Sequence, residues 1–140
     1  KESSAASDVY KRQISLYVYN NLRSGHTPDI AQTFHKVSIV EMHHLEIFGK
    51  LAYMLGEDPR MWTQHGCKKA YWTPGYNQYP VHFPEMMRNV IAGENAAIKK
   101  YQYQASYIKD PNITALLERI ILDEQLHVQI FEKMAREYCQ

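Results

Sequence analysis

The sequence predicts an all-α protein in which four long helices form two antiparallel hairpins. Prolines stand beside capping or acidic residues at three places where a helix would begin. Apolar residues recur at helical spacing through the stretches that follow these signals. The first two stretches, and likewise the last two, are separated by only a few residues, which is typical of antiparallel neighbours. We assign all 140 residues to one domain with its own core.

The starts and ends of the helices follow from local signals. The first helix is expected to begin among three serines near the N-terminus and to end near Gly25. Thr27 as N-cap and Pro28 in the first turn begin the second helix, which ends at Gly56. Prolines also mark the starts of the third and fourth helices. The predicted helices span residues 4–23, 28–55, 84–108 and 111–138.

A long segment, "EDPRMWTQHGCKKAYWTPGYNQYPVHF", separates the two predicted hairpins and is rich in proline, glycine and aromatic residues. We predict that it is a crossover loop, because a connection of this length can travel along a whole helix of a four-helix bundle. Its aromatic residues would pack across the bundle or against a second subunit, so a homodimer is expected. Cys67 lies in this segment, outside the predicted core, and is not expected to bind a metal.

Composition excludes several classes of partner. The formal net charge is +1 and no long run of like charge suggests a nucleic-acid or membrane surface. No apolar run approaches the roughly 20 residues that span a bilayer. The 2 cysteines form no C-x-x-C pair, which argues against a disulfide scaffold or a cysteine-built metal site. The first residues lack the apolar core of a signal peptide. The cysteine usage makes a reducing cytoplasm the expected location.

An internal repeat duplicates a Glu-x-x-His motif. When "SIVEMHHLEIFGK" (38–50) is set above "ILDEQLHVQIFEK" (121–133), Glu41 falls on Glu124 and His44 on His127. Each pair is three residues apart, so its two side chains project from one helix face. A single Glu-x-x-His on a helix usually lies on a solvated face. Two at matching places in a duplicated hairpin indicate a site.

The repeated motif predicts a binuclear metal centre. Two Glu-x-x-His helices, with a carboxylate from each of the other two helices, form the dimetal site of four-helix bundles. Carboxylates are hard ligands that offset cationic charge, while imidazole suits iron or manganese. The third helix offers Glu94, which lies as far from the turn at residues 109–110 as Glu124 does. The predicted ligands on these three helices are Glu41, His44, Glu94, Glu124 and His127.

The first helix offers a tyrosine where the repeat predicts a carboxylate. "ISLYVYN" (14–20) aligns with "IKKYQYQ" (98–104), and the position seven residues before Tyr17 is Tyr10. Counting from the turn also places Tyr10 level with Glu41. Asp8 would project from the wrong face, and Gln13 would be a weak, neutral ligand. Either Tyr10 completes the site as a phenolate, or it packs as an aromatic residue and leaves the site incomplete.

Two further polar residues near the motifs have more ordinary explanations. His43 points about 100° away from His44 and is expected at the surface or at an interface. Asp123 either orients a ligating histidine from a neighbouring helix by accepting its hydrogen bond, or is an ordinary helix-face charge.

The stretches "SIVEMHHLEIFGKLAYMLGEDPR" and "ITALLERIILDEQLHVQIFEKM" resemble the small bacterial ferritin-like proteins related to rubrerythrins and manganese catalases, and the resemblance runs from about residue 8 to the C-terminus. It implies a ferritin-like four-helix bundle that handles hydrogen peroxide or dioxygen at two iron or two manganese ions. It also implies that the five residues named above are metal ligands, and that Tyr17 and Tyr101 hydrogen-bond them.

Two departures from rubrerythrins limit what the resemblance implies. Rubrerythrins carry a second glutamate three residues after the third-helix ligand, where this chain has Ala97. They usually also carry a cysteine-ligated, rubredoxin-type iron domain. Peroxidase activity with built-in electron delivery is therefore not expected, and an external electron donor would be needed.

Three functional hypotheses follow. The first is a dimetal oxidoreductase in which Tyr10, Glu41 and Glu124 take part in the reaction. The second is a protein that binds or stores iron with little turnover, and the third is a structural bundle with a vestigial metal site.

Overall fold

The computed structural model describes residues 2–65 and 67–139. It contains four long α-helices, which confirms the all-α prediction. They are α1 (Glu2–Arg23), α2 (Pro28–Met54), α3 (Phe83–Tyr107) and α4 (Pro111–Tyr138). Each end lies within about two residues of its predicted position, the usual uncertainty of helix boundaries. None of the helices in the described part of the chain is long and apolar enough to cross a bilayer.

The chain divides into two compact units, Lys1–Gln78 and Tyr79–Gln140. The first unit contains the hairpin of α1 and α2 together with most of the crossover segment. The second contains the hairpin of α3 and α4. Short connections after α1 and α3 reverse the chain direction, as predicted for antiparallel neighbours.

The predicted helix punctuation is largely present. Asp110 caps α4, since its carboxylate accepts hydrogen bonds from the backbone N–H groups of Asn112 and Ile113. Thr27 stands at the N-cap of α2 but makes no capping bond with its side chain. Gly56 follows α2 with a φ of 82°, a left-handed conformation that favours glycine and stops the helix.

The crossover segment contains regular structure that the sequence analysis did not predict. Strands β1 (Trp62–His65) and β2 (Lys68–Tyr71) pair antiparallel, and a 3-10 turn follows at Pro74–Tyr76. Each strand has only four residues, too few for a hydrophobic alternation to stand out from the surrounding aromatic sequence. The Trp62 and Tyr71 rings face each other across the pair, with centroids 4.5 Å apart.

A buried lysine anchors β1 to α1. Lys11 is only 3% exposed, and its ammonium donates to the Trp62 carbonyl oxygen at 2.6 Å and to Asp8 Oδ1 at 3.2 Å. The Thr63 hydroxyl donates to the other Asp8 oxygen at 2.8 Å. Burial lowers the pKa of Lys11, while the Asp8 carboxylate acts in the opposite direction. Asp8 thus serves this anchor, on the side of α1 where the sequence analysis placed it.

The buried faces of α2 and α4 correspond position by position, as expected for copies of one hairpin. Each face is apolar except for the inserted Glu-x-x-His motif, and α2 also carries a buried serine. The matching buried positions are Phe34/Leu117, Val37/Ile120, Ser38/Ile121, Glu41/Glu124, His44/His127 and Phe48/Phe131.

Replacing Lys11 by methionine should lower the free energy of unfolding by about 1–3 kcal/mol, the range for stranding a buried hydrogen-bonding partner. The Trp62 carbonyl and the Asp8 carboxylate would both lose the ammonium. Urea unfolding followed by circular dichroism measures the change. Lys50→Met is the matched control, because the Lys50–Glu46 pair is exposed and water screens its charges, so its loss should leave the free energy of unfolding almost unchanged. Equal losses in the two variants would show that Lys11 is not an anchor.

Candidate metal centre

Three side chains of types that can bind a metal meet in the core of the second hairpin. Glu94 and Glu124 are fully buried, and His127 is 3% exposed. His127 Nδ1 lies 3.2 Å from Glu124 Oε2 and 3.5 Å from Glu94 Oε1. One ligand atom from each residue can be chosen so that all three lie within 4.8 Å of one another. The hairpin therefore presents two carboxylates and one imidazole to a single point.

Local helix geometry explains this convergence. Glu124 and His127 are three residues apart on α4, so their side chains lie on one face about a turn apart. Glu94 comes from α3 at the same distance from the turn that joins the two helices. In an antiparallel hairpin, equal distance from the turn places two residues side by side. That register brings Glu94 to the histidine.

The first hairpin contains the equivalent Glu–His pair. Glu41 is fully buried and His44 is 2% exposed. His44 Nδ1 lies 3.3 Å from Glu41 Oε2, nearly the separation found between His127 and Glu124. The repeated sequence motif therefore forms the same local arrangement twice, once in each hairpin.

Tyr10, at the predicted ligand position of the first helix, is fully buried in the first hairpin. Its ring stacks on Phe48, with centroids 4.7 Å apart and planes inclined by 16°. Phe48 lies seven residues after Glu41 on the same buried face of α2. Side chains on a helix lean toward its N-terminus, so in this hairpin the Tyr10 and Phe48 rings lean toward each other. The stack orients the phenol, while ligation by its oxygen stays a prediction.

Tyr17 and Tyr101, the expected hydrogen-bond partners of the ligands, are both buried, at 1% and 0% exposure. The Tyr17 ring lies 5.9 Å from the Phe34 ring between centroids. These tyrosines occupy equivalent places in the two hairpins, one on α1 and one on α3. Their hydrogen bonds to the ligands remain a prediction.

The other polar residues near the predicted site lie outside the carboxylate–imidazole contacts described above. Asp123 forms an ion pair with Arg119 on its own helix at 2.8 Å, and its role in orienting a histidine stays a prediction. Gln13 is buried on α1 at 5% exposure. His43 is exposed, as expected, and so is Cys67.

Buried polar residues on α1 escaped the sequence analysis. Lys11 and Asn20 are 3% and 0% exposed. No local sequence pattern predicts the burial of Lys11, because its partner Trp62 is far away in the sequence. The repeat does point to Asn20, since this residue ends the repeated segment 14–20 and aligns with Gln104, which is also buried.

The chemistry of the donor set fits a cation. A buried carboxylate is costly unless a positive group or a metal compensates it. In the second hairpin two carboxylates face the same imidazole nitrogen, and one N–H group has a single proton to donate. A divalent cation would compensate both carboxylates at once. Glutamate oxygen and histidine nitrogen are ligands that suit iron and manganese.

Comparison with known proteins agrees with this assignment. The model of the Rubrerythrin family matches residues 6–137. The chain belongs to the rubrerythrin family. No curated protein sequence matches it. Within the rubrerythrin family pattern, the third-helix position of the usual second glutamate is held by Ala97, which is buried and apolar at 1% exposure.

Solved structures show a similar fold at low sequence identity. A bacterioferritin from Desulfovibrio desulfuricans, described with a diiron site, superposes with a TM-score of 0.78 at 23% identity, over 96% of this chain and 76% of that one. A Rhodobacter capsulatus bacterioferritin with a metal-free dinuclear site gives a TM-score of 0.77 at 22% identity, over 98% of this chain and 82% of that one. A manganese catalase from Anabaena gives a TM-score of 0.78 at 18% identity, over 98% of this chain and 73% of that one. The fold is therefore the predicted ferritin-like four-helix bundle.

Replacing Glu94 by glutamine should raise the melting temperature of the metal-free protein, because it removes one of two buried carboxylates that face a single imidazole and repel each other. The substitution keeps the side chain's size. Thermal unfolding after dialysis against a chelator measures the change, with exposed Glu132→Gln as the control. A lower melting temperature for Glu94→Gln would show that His127 already compensates this carboxylate without a metal.

Proposed function

We propose that this protein holds two iron or manganese ions in one centre and uses them on hydrogen peroxide or dioxygen. The buried Glu94–Glu124–His127 group carries the proposal, because it is a metal-binding donor set enclosed in an apolar core. The equivalent Glu41–His44 pair in the first hairpin supports a second metal position. Membership of the rubrerythrin family supports a dimetal carboxylate protein.

The histidines and the glutamates of the proposed centre have different roles in binding the ions. His44 and His127 would each bind one ion through a ring nitrogen. The carboxylates of Glu41, Glu94 and Glu124 would offset the charge of the ions and leave positions open for a substrate. When bound, the metals supply Lewis acidity and a change of valence. The apolar positions around each motif exclude bulk water from the centre.

Tyr10 is proposed as the ligand from the first helix. It takes the place that corresponds to Glu94 in the repeat, and a phenolate can supply the negative charge that a glutamate would otherwise bring. Its full burial and its stack on Phe48 hold the ring in one orientation, so little freedom would be lost on binding. A tyrosinate bound to ferric iron absorbs visible light, which makes the proposal directly observable.

A second candidate is a protein that binds iron with little turnover, since the same buried donor set would serve to hold iron without any reaction. Consumption of hydrogen peroxide and of dioxygen by the metal-loaded protein separates the two functions. Repeated turnover supports the oxidoreductase, whereas a single stoichiometric oxidation supports iron binding.

Protein loaded anaerobically with ferrous iron or manganese should hold about two ions per chain, or about one if Tyr10 disables half of the centre. Glu124→Ala combined with His127→Ala should abolish binding, as measured by elemental analysis after gel filtration. The control combines Glu118→Ala with His43→Ala, both exposed. Loading should raise the melting temperature of the parent protein, because the ions bind only the folded state. Normal metal content in the Glu124/His127 variant would refute the site.

The ferric protein should be coloured by a charge-transfer band from the Tyr10 phenolate. Tyr10→Phe should bleach the band without unfolding the bundle, because the ring and its stack on Phe48 are kept. Tyr17→Phe is the matched control and should leave the colour unchanged. Tyr10→Glu should restore an all-carboxylate site and bind metal more tightly. A colourless ferric protein, or a band that survives in Tyr10→Phe, would assign Tyr10 to packing alone.

A further inference from the structure

The buried face of α1 is polar along much of its length. Tyr10, Gln13, Tyr17 and Asn20 follow one another at intervals of three, four and three residues, so they lie on one helix face. Their exposed fractions are 0%, 5%, 1% and 0%. A helix that packs only to form a core would carry leucine or alanine at most of these positions.

Asn20 differs from an ordinary buried amide. Neither its Nδ2 nor its Oδ1 has a hydrogen-bond partner in the described part of the chain, although the residue is fully buried. Burial of an amide without partners is costly, so such a group is usually satisfied by a bound molecule. Asn20 lies near the end of α1, where the N–H of Ser24 donates to its carbonyl oxygen at 3.0 Å and the exposed Gly25 follows.

The repeat provides independent evidence that this position is not accidental. Asn20 aligns with Gln104 at the end of the second repeated segment, and Gln104 is also buried, at 6% exposure. Both copies of the hairpin thus retain a side-chain amide one turn beyond a buried tyrosine. Amides are uncommon at fully buried positions, so their occurrence at both places indicates a shared role.

We infer that Asn20 binds a small neutral hydroxylic molecule, either water or hydrogen peroxide. Its amide offers one donor group and one acceptor atom, and a molecule that both donates and accepts can satisfy the two. The buried residues of α1 from Gln13 to Asn20 include no charged side chain, so an ion would find no compensation there. A water held in this way is a normal component of a protein interior.

The position of Asn20 gives this site a function, which rests on the proposed reaction with peroxide or dioxygen. At about 1.5 Å per residue, Asn20 lies about 15 Å along the helix from Tyr10. Tyr17 and Gln13 supply hydroxyl and amide groups between them. Asn20 is therefore a positioning residue at the outer end of a row of buried polar side chains on α1, namely Tyr10, Gln13, Tyr17 and Asn20, which we call the polar file. Water, peroxide or protons reach Tyr10 along this row from the hairpin end.

The binding site can be tested without any metal. In metal-free protein, NMR cross-relaxation should connect the Asn20 side-chain NH2 group to a long-lived bound molecule. The exposed Asn95 amide, which donates to the Ile91 carbonyl, serves as the reference for ordinary surface hydration. Titration with hydrogen peroxide should shift the Asn20 signals if peroxide is the ligand and leave them unchanged if only water binds. Absence of both the cross-relaxation and the shift would overturn the proposal.

The file is tested by substitution at the same position. Asn20→Leu keeps the branched shape of the side chain and removes both polar groups. It should lower kcat for peroxide or dioxygen consumption by about tenfold, a modest part of what proton transfer contributes. Metal content and the Tyr10 colour should not change. Asn20→Ser, which retains a donor and an acceptor, should restore much of the rate, and Asn95→Leu should have no effect. An unchanged kcat in Asn20→Leu would overturn the file, whereas a parent protein without turnover would refute the proposed function instead.

Discussion

The burial of glutamate carboxylates against histidine imidazoles is the interaction around which the rest of the molecule is organised. Glu41, Glu94 and Glu124 are fully buried, and transfer of ionised carboxylates from water to a protein core is among the largest penalties that a fold can carry. Close Glu–His contacts in each hairpin offset part of this penalty. The apolar positions around the motifs contribute hydrophobic stabilisation that can bear the remainder. A core of this composition would be difficult to retain for packing alone.

Antiparallel hairpins are well suited to such a centre. Within one helix, the spacing of three residues aligns a carboxylate with an imidazole. Between two helices, equal distance from the turn adds the second carboxylate without any long-range loop. These two rules explain why Glu94 meets His127, and why duplication of one hairpin produces a second, nearly equivalent pair. The site is thus a consequence of helix period and turn position, and both are local properties.

The first hairpin departs from this symmetry in a consistent way. Its first helix carries Tyr10 in place of a carboxylate, and the same helix carries the buried Lys11 that holds β1. Neighbouring residues on one helix point to different sides, so α1 serves the core through one face and the crossover segment through another. The polar groups at Gln13 and Asn20 continue the core face toward the hairpin end. This helix is therefore the most specialised of the four.

The sequence by itself determined the helices, their pairing and the ligand candidates. Proline and capping signals are local, and the Glu-x-x-His repeat places its side chains through the helix period alone. The crossover hairpin was missed because four-residue strands depend on packing against α1, and the Lys11 anchor joins residues far apart in the sequence. Two further facts required the tertiary structure: the stacking of Tyr10 on Phe48, and the complete burial of the Asn20 amide without a protein partner in the described residues. Both depend on how side chains lean and pack between elements, which no pattern within a single helix encodes.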